Sequence, residues 1–123
     1  MALDGSPTYL WLNSPYSPEW YNKDYFTKFP YHEYQDYGRH DVDFDKFMAI
    51  MNPKSVLDVG CAYGYIVRRC MDRGIHAIGV DISKWCEEQA DKIIPLHFIC
   101  SPAWDLHHFG DKEFDVIYCE GVL

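Results

Sequence analysis

The pattern of apolar and polar positions becomes regular near residue 55. From there, short continuous apolar segments, typical of buried strands, alternate with segments whose apolar residues recur at helical spacing. Gly74 is expected to close the first helix in a left-handed conformation, and Ser83 to cap the second. The expected strands are residues 55–59, 76–80, 96–100 and 114–119, and the expected helices are residues 63–73 and 83–92. This alternation predicts an α/β fold with a doubly wound parallel sheet and helices on both faces.

A further helix is expected directly before the first strand. Residues 41–51 carry a broad apolar stripe at helical spacing. Asp41 or Asp43 is the expected N-cap, since a short acidic side chain accepts hydrogen bonds from the first free amides of a helix. Asn52 and Pro53 follow the stripe and are expected to end the helix.

Residues 1–40 have a different character, being rich in Pro, Tyr and Trp. One short helix is expected from Ser17, ending before Pro30, and residues 31–38 are expected to be irregular. We therefore divide the chain into an aromatic-rich extension or lid, residues 1–40, and a domain, residues 41–123. The extension's aromatic residues either pack against the sheet or cover a bound ligand, and Tyr31, Tyr34 and Tyr37 are the candidates for the second role.

The composition narrows the classes of partner. The chain has 123 residues and a formal net charge of −8, which argues against nucleic acid because phosphate binding needs a basic surface. Neither an apolar run long enough to cross a membrane nor a secretory signal is seen. The five cysteines include no Cys-x-x-Cys pair, which favours free thiols and a cytoplasmic location. His107 and His108 are adjacent and point apart, so no metal site is expected.

The turn after the first expected strand carries the candidate chemistry. Gly60 and Gly64 lack side chains that would keep a ligand away from the backbone. Their spacing, Gly-x-x-x-Gly, differs from the Gly-x-Gly-x-x-Gly dinucleotide fingerprint, so a pyrophosphate ligand is disfavoured. Asp58, two residues before the first glycine, favours a ligand with positive charge, such as an amino group or a sulfonium. The alternative is that the glycines serve close packing of helix on strand and that Asp58 is structural.

Three segments resemble motifs of one enzyme family. Residues 56–64 are similar to the first motif of the class I, Rossmann-like, S-adenosylmethionine-dependent methyltransferases, residues 79–83 to its second strand and terminal acid, and residues 114–119 to its fourth strand. The motifs occur in the family's order, and the resemblance covers about residues 40–123. It implies a Rossmann-like sheet and methyl transfer from S-adenosylmethionine, with S-adenosylhomocysteine as product.

The resemblance also implies residue roles. Backbone near Gly60 and Cys61 would contact the methionine part of the cofactor, Asp81 would bind both ribose hydroxyls, and Ile82 would pack on the adenine. The alternative for Asp81 is that it only caps the helix expected after Ser83. The full set of candidate cofactor residues is Asp58, Gly60, Cys61, Ala62, Tyr63, Gly64, Asp81, Ile82, Ser101, Pro102, Ala103 and Cys119.

The resemblance has one departure and leaves the catalytic residue open. Pro102 stands where many members have an acid that binds the adenine amino group, so Ser101 or backbone atoms are expected to replace that contact. Direct displacement needs alignment of the acceptor more than a universal catalytic residue. Glu120 is a candidate general base. The simpler interpretation is that Glu120 is a solvated acid in a loop. The acceptor is expected to be a small molecule, a glycan or a protein side chain.

Family members carry seven strands, and this chain ends just past the fourth. The sequence is therefore interpreted as the N-terminal, cofactor-binding half of such an enzyme, truncated after the fourth strand. Two possibilities stay open for the chain alone: that it is active, and that it is an inactive fragment. An unpaired apolar edge strand needs a partner, which predicts a homodimer through the fourth strand. The alternatives to an enzyme are a non-catalytic S-adenosylmethionine-binding module and, disfavoured by the missing third glycine, a nucleotide-dependent oxidoreductase.

Overall fold

The structure, a computed structural model, describes residues 18–28, 31–36 and 39–119. Its centre is a four-stranded parallel sheet with the strand order β3-β2-β1-β4. The strands are β1 (Ser55–Val59), β2 (His76–Asp81), β3 (Phe98–Cys100) and β4 (Val116–Tyr118). The order places the carboxyl ends of β1 and β2 side by side at the centre of the sheet, where ligands bind in open α/β folds. The predicted α/β class and parallel sheet are confirmed.

Within the described residues, four α-helices accompany the sheet. They are α1 (Lys23–Thr27), α2 (Arg39–Met51), α3 (Tyr65–Asp72) and α4 (Lys84–Ile93), and a short 3-10 turn at Pro18–Trp20 precedes them. Ser83 caps α4 as predicted, its hydroxyl accepting from the Cys86 amide at 3.1 Å. Gly74, with a φ of +72°, follows α3 in the predicted left-handed conformation. No helix within the described ranges is both long and apolar enough to cross a membrane.

Several predicted boundaries differ from the structure. The N-cap prediction for Asp41 or Asp43 was wrong, because α2 begins at Arg39 and both acids lie inside it. β3 begins at Phe98 rather than at residue 96, since Leu96 has a φ of +66°, which no strand residue adopts. The helix expected from Ser17 is replaced by the 3-10 turn and α1, which a bend at residues 21–22 separates.

The two faces of the sheet are covered differently. Helices α2, α3 and α4 supply the apolar residues of one face, where Phe44, Val67 and Ala90 pack against β1 and β2 and are almost fully buried. The connection from β3 to β4, residues 101–115, crosses to the other side of β1, so it covers the opposite face. Within the described residues this connection contains no helix; Ala103, Leu106, Phe109 and Phe114 are its packing contacts.

β1 and β4 are held together at their amino ends by Asp115. Its carboxylate accepts the backbone amides of Lys54 and Ser55 at 2.9 and 2.8 Å, and the Asp115 amide donates to the Ser55 hydroxyl at 2.9 Å. These hydrogen bonds hold the pKa of the Asp115 carboxyl below its ordinary value. The same bonds explain why β4 begins at Val116 rather than at residue 114: residue 115 is engaged with the start of β1 instead of extending the ladder.

Candidate functional site

The predicted glycine turn, residues 60–64, lies across the carboxyl end of β2 and is called the glycine loop here. The amides of Gly60 and Cys61 both donate to the carbonyl of Val80, at 2.7 and 3.0 Å. Gly60 has a φ of +78°, a conformation that residues with a side chain rarely adopt. The shared acceptor fixes the loop above the junction of β1 and β2, because both donors belong to the chain that leaves β1.

Asp81, the last residue of β2, ties the glycine loop to its own strand. One carboxylate oxygen accepts the Ala62 amide at 2.8 Å, and the other accepts the Ser83 amide at 3.0 Å. Burial raises the pKa of the Asp81 carboxyl, and the hydrogen bonds from Ala62 and Ser83 oppose that rise. The cap of α4 is Ser83, so Asp81 does not serve as the cap itself. An ionised carboxylate has about four acceptor positions. The amides of Ala62, Ser83 and Ile82 use up to three of them, so at least one remains for a ligand.

Asp58 lies near the end of β1, the strand next to that of Asp81, and is 4% exposed. Its negative charge acts on the glycine loop: after burial, it is the largest cause that raises the pKa of the Cys61 thiol. The Cys61 side chain points into the core, since a Cβ added at Gly79 would lie 2.6 Å from the Cys61 sulfur. Of Cys61, therefore, the backbone is the part that the core does not take up.

Two other candidate residues of the loop have packing contacts of their own. A Cβ added at Gly64 would lie 2.3 Å from Cδ1 of Ile94, and Gly64 has a φ of +92°. The ring of Tyr63 is buried, and its hydroxyl accepts from the indole nitrogen of Trp85 at 2.8 Å. Close packing, the alternative considered for the glycines, thus applies to Gly64.

The described part of the extension packs over the glycine loop. Five of its aromatic side chains form one cluster with Tyr63, and we call them the aromatic cover: Tyr21, Tyr25, Phe26, Tyr31 and Tyr34. The ring of Tyr34 lies 4.8 Å from that of Tyr63, and the Ser83 hydroxyl donates to the carbonyl of Tyr21. Tyr31 and Tyr34, two of the lid candidates, belong to the cover. Tyr37 and the aromatic residues before Pro18 lie outside the described residues.

The aromatic cover lies close enough to Asp58 and Asp81 for their negative charges to contribute to the raised pKa values of two of its tyrosines. Burial is the main cause that raises the pKa of Tyr34, and the charge of Asp58 adds to it. Burial also raises the pKa of Tyr25 to about 12, with smaller contributions from Tyr31 and from the charge of Asp81. The strand-end acids and the cover therefore lie on the same side of the glycine loop's surroundings closely enough to interact, which the sequence pattern alone did not indicate. Both phenols stay protonated at neutral pH.

The segment after β3, residues 101–103, is held by backbone and side-chain hydrogen bonds of its own. The Ser101 amide donates to the Asp81 carbonyl at 2.9 Å, and the buried Ser101 hydroxyl donates to the Asp105 carbonyl at 2.7 Å. Pro102 is buried, and Ala103 packs against the core. The hydroxyl of Ser101 thus closes a turn.

The remaining candidates are spread around the site. Ile82 is partly buried and its carbonyl accepts from the Cys100 thiol at 3.6 Å, while Cys119 is exposed just past β4. Glu120 lies outside the described residues. The expectation that His107 and His108 point apart was wrong: their rings stack at 4.2 Å between centroids, and His107 also pairs with Asp105. Across residues 18–28, 31–36 and 39–119, no three His, Cys, Asp or Glu side chains come together in a way that could hold a metal ion.

Comparison with known proteins finds one family and several relatives. The model of a methyltransferase domain family matches residues 56–123. A ubiquinone biosynthesis O-methyltransferase of Chromobacterium violaceum is 29% identical over 110 residues, which is 85% of this chain and 46% of that protein. The chain therefore spans about half the length of this curated relative.

Two solved structures are similar to parts of this chain. The plantazolicin methyltransferase BamL, in complex with a triazolic desmethylPZN analog and SAH, is 23% identical with a TM-score of 0.50, over 76% of this chain and 42% of that one. A SAM-dependent methyltransferase from Thiobacillus denitrificans, in complex with S-adenosyl-L-homocysteine, is 25% identical with a TM-score of 0.49, over 65% of this chain and 36% of that one. The BamL likeness supports the Rossmann-like reading of the sheet.

Proposed function

Because this chain belongs to the methyltransferase domain family, we propose that its glycine loop and strand-end acids bind S-adenosylmethionine. We propose further that the whole protein transfers the methyl group to an acceptor. The observation that carries the proposal is the pairing of Asp81 with the Ala62 amide at 2.8 Å. It joins the ends of two neighbouring parallel strands around one half-buried carboxylate, which keeps acceptor capacity for hydroxyl groups.

The residues present fit this cofactor. Asp81 would accept hydrogen bonds from the ribose hydroxyls, and the Asp58 charge would favour the amino group and the sulfonium. Backbone of Gly60, Cys61 and Ala62 would border the methionine part, because Gly60 leaves the loop open to close approach. We assign the adenine side to Ile82 and to the segment Ser101, Pro102 and Ala103, and the methyl side to Cys119. Tyr63 and Gly64 would contribute backbone and support.

Bound S-adenosylmethionine would supply a methyl group activated by its sulfonium: the acceptor would bond to the methyl carbon as the carbon–sulfur bond breaks, and S-adenosylhomocysteine would leave. The chain's own contribution is alignment and exclusion of water, since holding two reactants in place is worth up to about 7–11 kcal/mol. The aromatic cover suits this role because it closes the loop with apolar rings. Glu120 is proposed as the candidate general base, and no described residue is assigned that role.

The acceptor is proposed to be a small molecule with a hydroxyl group. The relative from Chromobacterium violaceum is named as an O-methyltransferase of ubiquinone biosynthesis, which supports an oxygen acceptor. A glycan or a protein side chain is the other class considered. We place the protein in the cytoplasm, because its five cysteines carry free thiols, as expected under reducing conditions.

Calorimetric titration with S-adenosylhomocysteine tests the cofactor assignment. The wild-type chain should bind it, and Asp81→Ala should weaken binding at least tenfold, about 1.4 kcal/mol. Asp91→Ala, an exposed change on α4, is the matched control and should bind like wild type. Far-UV circular dichroism of each variant shows whether the fold is kept. Equal affinity of Asp81→Ala and wild type would remove Asp81 from the site.

A non-catalytic binding module is the second candidate function. Within the described part of the chain, no strand pairs with the outer edge of β4, and Ile117 is 62% exposed there. We propose that this edge pairs with a second copy of the chain, because unpaired apolar edges associate. Sedimentation should therefore show a dimer that Ile117→Lys weakens. A chain that binds the cofactor yet methylates no acceptor from a broad panel would favour the module.

A further inference from the structure

Arg69, on α3, connects three parts of the molecule through its guanidinium group. One terminal nitrogen (Nη2) donates to the Asp36 carboxylate at 2.7 Å, and Nε donates to the Asp41 carboxylate at 3.0 Å. The other terminal nitrogen (Nη1) donates to the Tyr65 carbonyl, also at 3.0 Å. The Arg69 side chain is only 17% exposed. All three nitrogens are thus engaged, and the planar fork is held in one orientation.

Asp36 ends the stretch of chain that carries the inner rings of the aromatic cover. Two residues earlier, Tyr34 stacks on Tyr65 of α3, and its amide donates to the Phe26 carbonyl at 2.7 Å. The ion pair between Arg69 and Asp36 therefore lies at one end of the described stretch 31–36. Nearer its middle, the stretch is held to α1 by the hydrogen bond from the Tyr34 amide to Phe26.

We propose that Arg69 is a positioning residue that latches the aromatic cover over the glycine loop and so slows release of the bound cofactor. The inference rests on the proposed function, since it concerns the same site. Arg69 acts through Tyr34. The ring of Tyr34 contacts that of Tyr63 in the glycine loop, and the charge of Asp58 contributes to the raised pKa of Tyr34. Opening the latch exposes apolar rings and two charged partners, so the closed position is the ground state and cofactor exchange requires the latch to open.

The chain offers a matched control one residue away. Arg68 lies on the same helix, but its partner Asp72 is on α3 as well, at 3.0 Å, so this pair joins nothing to the cover. Asp36→Asn removes the pair to the cover and leaves Arg69 its other two acceptors. Asp41→Asn removes the pair to α2 instead. Arg69→Lys keeps the positive charge but offers one ammonium in place of the fork.

The first measurement needs no ligand: hydrogen exchange of the Tyr34 amide in the full chain. Partly exposed ion pairs are worth up to about a factor of five. Exchange should therefore rise about threefold to fivefold in Arg69→Ala and in Asp36→Asn. It should stay at the wild-type rate in Arg68→Ala and in Asp41→Asn, and Arg69→Lys should recover part of the protection. An equal rate in Arg68→Ala and Asp36→Asn overturns the latch.

The second measurement is the dissociation rate of S-adenosylhomocysteine, followed by stopped-flow intrinsic fluorescence. Asp36→Asn should release it about threefold to fivefold faster, while its association rate changes less. Unchanged release together with faster exchange at Tyr34 overturns the coupling to the cofactor. If no variant and no wild-type chain binds S-adenosylhomocysteine, the proposed function fails, and the exchange measurement still decides whether Arg69 holds the cover.

Discussion

Gly64→Ala is the perturbation whose cost follows most directly from the structure. The added Cβ would lie 2.3 Å from Cδ1 and 2.8 Å from Cγ1 of Ile94, and Gly64 has a φ of +92°. Ile94 is fully buried, and three of its side-chain carbons, Cδ1, Cγ1 and Cγ2, lie within 3.4 Å of the added Cβ. The change therefore combines backbone strain with overpacking at the point where the glycine loop meets α4.

Gly74→Ala separates the two contributions. Gly74 has a similar φ of +72°, but an added Cβ meets nothing within 4 Å. A left-handed residue with a side chain costs about 1–2 kcal/mol, and overpacking a filled core costs about 1–3 kcal/mol. Gly64→Ala should therefore lower the free energy of unfolding by about 2–5 kcal/mol, and Gly74→Ala by about 1–2 kcal/mol.

Urea unfolding followed by circular dichroism measures both losses. Adding Ile94→Val removes the methyl group at the 2.3 Å contact. The double variant Gly64→Ala, Ile94→Val should then be more stable than the sum of the single losses predicts, since neighbouring changes are not additive. Equal losses for Gly64→Ala and Gly74→Ala, or strict additivity with Ile94→Val, would refute the packing account of Gly64.

Two further predictions concern hydrogen bonds. Because the pKa of Asp115 is lowered in the folded state, its stabilising effect is present above the unfolded pKa of about 3.9 and is lost as the pH falls through the folded pKa. Acid unfolding of Asp115→Asn should accordingly be less steep than that of wild type or of the control Asp111→Asn; identical acid profiles would contradict this. Ser83→Ala removes the cap of α4 and a donor to the Tyr21 carbonyl, so it should cost about 1–3 kcal/mol in urea unfolding. A loss below about 0.5 kcal/mol would contradict the cap.

The sequence predicted the elements whose patterns are local. β1 and α4 were predicted almost to the residue, because a continuous apolar run and a Ser N-cap are sufficient signals. The ends of β3 and β4 were not, since Leu96 turns left-handed and Asp115 bonds to residues about 60 positions away. The start of α2 was also missed, as Asp41 is engaged by Arg69 rather than by the helix amides.

The candidate site shows the same division. The glycine loop and Asp81 are close together, because the family motifs place both at carboxyl ends of neighbouring strands. The side-chain directions of Cys61 and Tyr63, into the core and toward Trp85, depend on partners distant in sequence. The contact of Tyr34 with the loop depends on the path of residues 31–36, which carry no periodic pattern. Tertiary contacts of this kind have no local signal.

The central claim is that the glycine loop and the two strand-end acids form the binding site for an adenosyl sulfonium. Backbone amide resonances observed during titration with S-adenosylhomocysteine test it most directly. The amides of Cys61, Ala62 and Ser83 should shift together, with one dissociation constant, and these shifts should be lost in Asp81→Ala. Saturating ligand that leaves these amides unmoved, or that shifts amides elsewhere alone, would contradict the claim.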